Sequence, residues 1–541
     1  MNSLQPQAAR QKKAPPSCLP DPTPVLMASG LSPQEVARIL QAYGIHDWRR
    51  ADLNLQAMAG EPASRKALAT ILYQVLVGVA HTADPDQALN EWERYVDSGI
   101  HRLQLYQYLA VVPHVIEVLG TAFGNSPAMA QTFIRDPLLV YWIEDDRVLL
   151  RRTTRNVLKT HVEASLGAVT SFEARCEALR RFKRREMLRI GIRDLLGIAT
   201  PVETYTVLSE LASAVIQAAY ELVDQELKQR FGDSGCSSSK GESADGFSVL
   251  AMGKLGGWEL NYSSDVDLVY VYRASQGRTK AGPRQTSISR TLYWETLARE
   301  LTAVLTASTA EGSLFRVDLR LRPEGAVGPL ASSLEDALHY YAGRGRTWER
   351  LAFLKAKPIA GNLRVGQALI RGLTGFVYGN EEVAKQIFPA IQSLRSQILS
   401  KMIRRGEVDR HVKLGIGGIR EIEFIVQGLQ LRWGYDFPKI RDRQTLKGMV
   451  KLRQVGKLTA QEARILKESY VFLRNLEHKL QMVHEFQTHL LPTKIEEIGK
   501  CAIRMGYLKN TTIEQATQTF LEDFRRHTTV VHRLYEHIIG F

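Results

Sequence analysis

Between residues 31 and 200, apolar side chains recur every three or four positions, the spacing of helices that bury one face. SPQEVARILQAYG (32–44) shows the start and stop signals as well. Ser32 is placed to cap, Pro33 opens the first turn, Glu35 completes a capping box and Gly44 ends the helix. QLYQYLAVVPHVIEVLGTAFG and NVLKTHVEASLGAVT continue the pattern, as does a helix around 203–230. The periodicity stops in FGDSGCSSSKGESADG (231–246), a Gly/Ser-rich break that predicts a mobile surface loop.

Beyond that break the texture changes. FSVLAM (247–252), VDLVYVY (266–272) and SLFRVDLRLR (313–322) are short apolar or alternating runs, which predicts strands. The helical stretch SISRTLYWETLARELTAVLTAS lies between the last two. From about 363 to the end the spacing is helical again, as in IFPAIQSLRSQILSKMIRR and ILKESYVFLRNLEHKLQMVHEF. The expected fold class is α+β and mostly helical, with a mixed core between helical flanks. Four segments are expected: a basic, disordered tail (1–30), a helical region (31–200), a mixed domain (201–362) and a helical bundle (363–541).

Composition narrows the class. At 541 residues the chain exceeds one core, and 44% hydrophobic with 24% charged residues describes an ordinary globular protein. No run of 18 uncharged apolar residues predicts a membrane span, and MNSLQPQAARQKKAPPSCLP lacks the apolar stretch of a secretory signal. Cys18, Cys176, Cys236 and Cys501 are scattered, so neither a zinc site nor a disulfide framework is implied, and a cytoplasmic location is expected. The net charge of +14 favours polyanionic partners: nucleic acid, nucleotide phosphates or an acidic protein surface. The densest basic run, LRRFKRREMLR (179–189), keeps apolar residues at helical spacing and predicts a solvated helix face.

One constellation carries chemistry. Residues i and i+2 of a strand share a face, so Asp265 and Asp267 are expected to project together from an otherwise apolar strand. Two unpaired carboxylates there repel, and a hard divalent cation such as Mg²⁺ resolves the conflict. Asp318, in RVDLRLRP, supplies a third carboxylate, with Arg320 and Arg322 on its face if the strand stays regular. Three carboxylates beside cations suit metal-assisted phosphoryl or nucleotidyl transfer. In the preceding GKLGG turn, Gly256 and Gly257 are the expected phosphate contacts, and Ser264 is placed to hold another phosphate oxygen. Neither GxxxxGK[ST] nor GxGxxG is present. A lone DxD pair is common, and a Gly-Gly pair is often only a tight turn. A Gly-Gly turn, then DxD, then a third Asp on a later strand is the order found in the polymerase-β-type nucleotidyltransferase core.

MGKLGGWELNYSSDVDL, RVDLRLRPEGAVGPL, GRTWERLAFLKAKPIAG and KLGIGGIREIEFIVQ together resemble the glutamine synthetase adenylyltransferase/adenylyl-removing enzyme family. RRFKRREMLRIGIRDLLG and YVFLRNLEHKLQMVHEFQTHLLP extend the resemblance, which covers roughly 70–535. Family members carry two nucleotidyltransferase units. One attaches AMP to a tyrosine of glutamine synthetase using ATP, and the other removes it by phosphorolysis, giving ADP. GKLGG with a following DxD occurs once here, and GGIREIEF, RTWER and the ending HRLYEHIIGF resemble the N-terminal, adenylyl-removing unit.

The resemblance implies that Asp265, Asp267 and Asp318 hold Mg²⁺ and that Arg320 and Arg322 bind phosphate. It places Lys355 and Lys357 within reach of the same site; the plainer alternative for each is a solvated helix lysine. It implies glutamine synthetase as protein substrate, ATP, ADP and phosphate as small ligands, and the PII signal protein in its uridylylated form as effector. One of Glu421 and Glu423 is expected near the metal, the other beside Arg420 or Arg432. Gly417–Gly418 is expected as a helix-entry nest or a plain turn, and His478 and His484 as ordinary helix histidines. The rival activities are adenylylation by the same residues and, from another class, RNA binding or RNA nucleotidyl transfer. The charge permits the latter, but no RNP or KH-type motif accompanies it.

Overall fold

The computed structural model describes residues 19–235, 245–274, 276–483, 485–508 and 511–540. Cys18, Cys236, His484 and most of the 231–246 loop therefore lie outside the described residues. The chain divides into two compact units, residues 1–146 and 147–541.

The first unit is helical. Ser32 caps Pro33–Gln41, with both hydrogen bonds of the capping box to Glu35 formed and Gly44 in the left-handed region just beyond. Helices Trp48–Ala59, Pro62–Ala80, Pro85–Val96, Arg102–Val111, His114–Asn125 and Pro127–Arg135 follow. They enclose an aromatic core in which Trp92 meets Phe123 edge-on at 5.3 Å. The expectation of a disordered tail over 1–30 is corrected at its end. Thr23–Met27 is helical and buries Val25 and Leu26; Tyr43 OH donates to the Pro20 carbonyl just before it and Gln56 Nε2 to the Val25 carbonyl within it.

The second unit holds a five-stranded mixed sheet: β1 (Gly246–Ala251), β2 (Val266–Arg273), β3 (Val317–Asp318), β4 (Ala331–Ser333) and β5 (Lys357–Gly361). β1 lies between β2 and β5, antiparallel to both, while β2 also pairs in parallel with β3 and β4. Strand alternation divides the side chains between two layers. Phe247, Tyr270 and Tyr272 meet Trp294 and Tyr220, from the helices Arg290–Thr306 and Pro201–Phe231, in a stacked aromatic layer. Leu250, Met252, Val269 and Val271 join a second core with Leu334, Tyr341, Phe353, Leu369, Ile422 and Leu473.

The boundary expected at 200 is replaced by one at 146, because the helices Phe172–Leu195 and Pro201–Phe231 pack with the sheet unit. Pro201–Phe231 is long and apolar enough by composition to cross a membrane, but most of its apolar window is buried inside the fold. The run at 179–189 is not a solvated face either. Arg180 and Arg189 are buried, paired to Glu177 at 3.0 Å and Glu186 at 2.8 Å. Cys176 and Cys501 are buried free thiols.

The strand predicted at 313–322 shrinks to Val317–Asp318. Asp318 Oδ1 accepts the backbone N–H of Arg320 at 2.8 Å, a local turn that competes with the ladder and ends the strand.

Candidate active site

β1 enters a buried connection, 252–265, before β2 returns beside it. Met252 N donates to Asp267 O at 2.8 Å, and Gly253 starts a single helical turn, Gly253–Gly256. Gly253 has φ +53°, and a Cβ there would collide with Asp267 Oδ2. The first glycine of GKLGG is thus the one that lets the backbone pass under the carboxylate. Gly256 and Gly257 do not line an open phosphate turn. Both are buried, Gly256 against the carbonyls of Lys355 and Ala251, Gly257 against Glu259 and Lys355.

Asp267 and Asp318 are direct partners in the parallel β2–β3 register. Asp265 precedes β2, so the shared-face argument applies to Asp267 and Asp318 rather than to the DxD pair within one strand. Even so, both other carboxylates act on Asp267. Burial, then the Asp318 and Asp265 carboxylates, push the Asp267 carboxyl up to about 6, with Lys413 and Lys254 opposing.

The outer two aspartates are neutralised by arginines. Arg316 Nε donates to Asp265 at 2.7 Å, and Arg316 also reaches Ser263 O at 2.5 Å. Exposed Arg320 grips Asp318 at 2.6 Å, and its hydrogen bonds hold that carboxyl below the usual range. Among the described residues no group of three or more His, Cys, Asp or Glu side chains converges on a metal-sized site. The donor chemistry nevertheless fits a hard cation: three carboxylates, one of them (Asp267) without an ion pair among the described residues, beside a Ser264 hydroxyl that is buried without a partner among them.

The expected phosphate ligands divide. Arg320 lies at the site. Arg322 does not: it is buried and donates to the carbonyls of Leu319, Ala326, Gly328 and Pro329, so it builds the loop after β3. Lys355 is buried between Glu259 at 3.0 Å and Glu423 at 2.9 Å, neither a solvated helix lysine nor a phosphate ligand. Despite burial, those two carboxylates hold it above the ordinary lysine range. Lys357 is in β5, its ammonium 3.0 Å from the Trp258 ring centroid. Burial, with Arg443 nearby, pushes it down to about 8.

Several residues missed by sequence reasoning frame the site. Glu259 accepts from Thr445 N at 2.6 Å and from Tyr470 OH at 3.1 Å. Arg474, fully buried in the helix Ala460–Met482, donates to Glu259 O and to Asn261 Oδ1. Glu477 accepts from Lys254 at 2.7 Å and Asn261 at 2.5 Å and pairs with His489 at 2.9 Å. Burial pushes Lys254 down to about 7 against the pull of Glu477. Buried His478 accepts from Tyr262 N at 3.2 Å, as an ordinary core histidine.

Glu423 is tied to Lys355 and Arg420, and Glu421 to Arg395 and His532, so neither faces the aspartates as a free carboxylate. Gly417 sits at φ +68°, its N–H donating to Glu421 at 3.0 Å. The one sequence signal for these framing residues was local: Lys254 and Arg316 each lie two residues or fewer from a residue already singled out.

At the end of the small mixed sheet the aspartates thus lie beside Arg316 and Arg320, and comparison with known proteins points to a nucleotidyltransferase family of enzymes. Residues 116–371 match the family described as glutamate-ammonia ligase adenylyltransferase, and residues 392–539 match GlnD PII-uridylyltransferase. A bifunctional glutamine synthetase adenylyltransferase/adenylyl-removing enzyme from Nitrosococcus oceani is 37% identical over 76% of this chain and 41% of its own length. Those from Bartonella quintana and Rhizobium meliloti are each 36% identical, over 83% and 84% of this chain and 45% of their own length. The chain is a relative of these nucleotidyltransferases and spans less than half the length of each.

Proposed function

We propose that this chain removes AMP from adenylylated glutamine synthetase by phosphorolysis, releasing ADP. The observation that carries the reading is the Asp267–Asp318 pair, with Asp265 close by, in a segment matching the adenylyltransferase family. An oxygen of inorganic phosphate forms the new bond to the AMP phosphorus, the bond to the tyrosine oxygen breaks, and that oxygen takes a proton.

Mg²⁺ would be held by Asp265, Asp267 and Asp318 and would supply charge neutralisation at the transferred phosphoryl group. The chain's own contribution is positional. Arg316 and Arg320, now on Asp265 and Asp318, are the cations available to phosphate oxygens once the carboxylates turn elsewhere. The Ser264 hydroxyl is a free donor beside them. Gly253 keeps the carboxylate of Asp267 unobstructed. Such positioning and charge compensation lower the barrier without a covalent enzyme intermediate.

The match of residues 392–539 to a family named for PII uridylylation supports a role for the helical C-terminal region in receiving the PII signal. The expected readout is loss of nucleotide release. Asp265→Asn combined with Asp267→Asn should abolish turnover of adenylylated glutamine synthetase, and chelating divalent cations should do the same to the unaltered protein. Activity unchanged in the double variant contradicts the carboxylate site.

A further inference from the structure

The two arginines at the aspartates differ in what else holds them. Among the described residues the Arg320 guanidinium hydrogen-bonds only to Asp318, and its side chain is 79% exposed. Arg316 gives Asp265 a single nitrogen, Nε, which donates to Oδ1 at 2.7 Å. Its Nη2 donates to Ser263 O at 2.5 Å and to Ser263 Oγ at 3.2 Å, and its Nη1 to Glu485 O at 3.4 Å. Ser263 Oγ in turn donates to Glu485 O, which closes the ring. A guanidinium is a planar fork whose donors point in fixed directions, so acceptors on both outer nitrogens set its plane without Asp265.

The acceptors belong to backbone that is itself tied down. Ser263 is buried, and just before it Asn261 binds Glu477 at 2.5 Å and Arg474 at 2.7 Å. Tyr262 OH donates to Met187 O at 3.0 Å. Glu485 stands just beyond the helix Ala460–Met482, which supplies both Arg474 and Glu477. Its φ of +54° lies in the left-handed region, a conformation that a non-glycine residue keeps only where its surroundings impose it. Gln481 Nε2 braces the same turn by donating to Thr488 O at 3.3 Å. The Arg316 backbone is fixed as well, its carbonyl accepting from Val266 N at 2.9 Å.

We propose that Ser263 is a positioning residue which, with the Glu485 carbonyl, keeps the Arg316 guanidinium at the site when Asp265 turns elsewhere, leaving Nε for an oxygen of the attacking phosphate. This role rests on the function proposed above. The Nε N–H already donates to an anionic oxygen, that of Asp265, so a phosphate oxygen is a like-for-like replacement. An arginine held in advance gives up less side-chain freedom when the anion binds than a loose one does.

The first test uses the full chain with adenylylated glutamine synthetase, Mg²⁺ and varied phosphate. Ser263→Ala should raise the KM for phosphate about fivefold, the equivalent of one hydrogen bond, and leave kcat within about twofold. Ser263→Thr keeps the hydroxyl and should restore the KM. In an Arg316→Ala background, Ser263→Ala should have no further effect, because Ser263 acts through that arginine. An unchanged phosphate KM in Ser263→Ala, or an effect that persists without Arg316, overturns the proposal. If the unaltered protein releases no ADP, the functional reading has failed, and the clamp is read directly by NMR on the chain carrying isotope-labelled arginine. With the Arg316 signals identified by their loss in Arg316→Lys, slow rotation of the held guanidinium should keep Nη1 and Nη2 distinct in Asp265→Ala. Averaged signals there overturn the clamp, and this spectrum also decides the matter if Ser263→Ala does not fold.

Discussion

Asp267 combines a carboxyl pushed up to about 6 with a backbone that only glycine lets pass beneath it. Its folded pKa lies above the unfolded value, so the folded state binds the proton more tightly. Without divalent cations, stability falls as pH rises from about 4 to about 6, and the cost persists above that window. Asp267→Asn removes the charge. At pH 7.5 without metal it should raise stability by up to roughly 3 kcal/mol, at about 1.4 kcal/mol per pKa unit. Melting curves across pH check this, and a variant no more stable than its parent contradicts it. Gly253→Ala should lower activity at least tenfold, because the new methyl displaces the carboxylate. At this scale the aspartates were legible because carboxylates in an apolar strand stand out. The roles of Gly256, Gly257, Lys355 and Arg322 were not. A glycine opened for a ligand and one closed against a carbonyl read alike in sequence, and so do a lysine at a phosphate and one buried between Glu259 and Glu423.

Between elements, buried ion pairs tie the 252–265 connection to the C-terminal helices. Lys355, Glu259 and Glu423 form one knot, Arg474, Lys254 and Glu477 another. Lys355→Met leaves the buried Glu259 carboxylate without its cation and Glu423 with Arg420 alone, and should destabilise the second unit by roughly 3–5 kcal/mol. Urea denaturation measures this, and a loss below 1 kcal/mol would exclude the knot as a structural element. Arg322→Ala removes the donor shared by four loop carbonyls and should cost about 1–3 kcal/mol. Hydrogen exchange should rise in 323–330 before it rises in β1 or β2, and uniform exchange would contradict the role given to Arg322. Helices and the longer strands were legible from periodicity and caps, as at Ser32 and at Ser289, which caps Arg290–Thr306. β3 was overextended, since the turn that ends it depends on one side-chain hydrogen bond of Asp318. The short β4 and β5 carry too few residues to show alternation.

Across the whole chain, sequence periodicity could not place the unit boundary, because helices 172–231 look alike whether they continue the first unit or cover the sheet of the second. The net charge of +14 leaves nucleic acid as a competing partner. Much of the basic run at 179–189 is internally paired, which removes the densest candidate patch. Under the proposed function, making and breaking the AMP–tyrosine bond would use the same three carboxylates, so the nucleotide released distinguishes the two directions. The most direct measurement is the nucleotide product with glutamine synthetase as substrate. Adenylylated enzyme plus phosphate and Mg²⁺ should yield ADP and unmodified glutamine synthetase. Absence of ADP, with pyrophosphate released from ATP and unmodified enzyme instead, would contradict phosphorolysis and assign the chain to adenylylation.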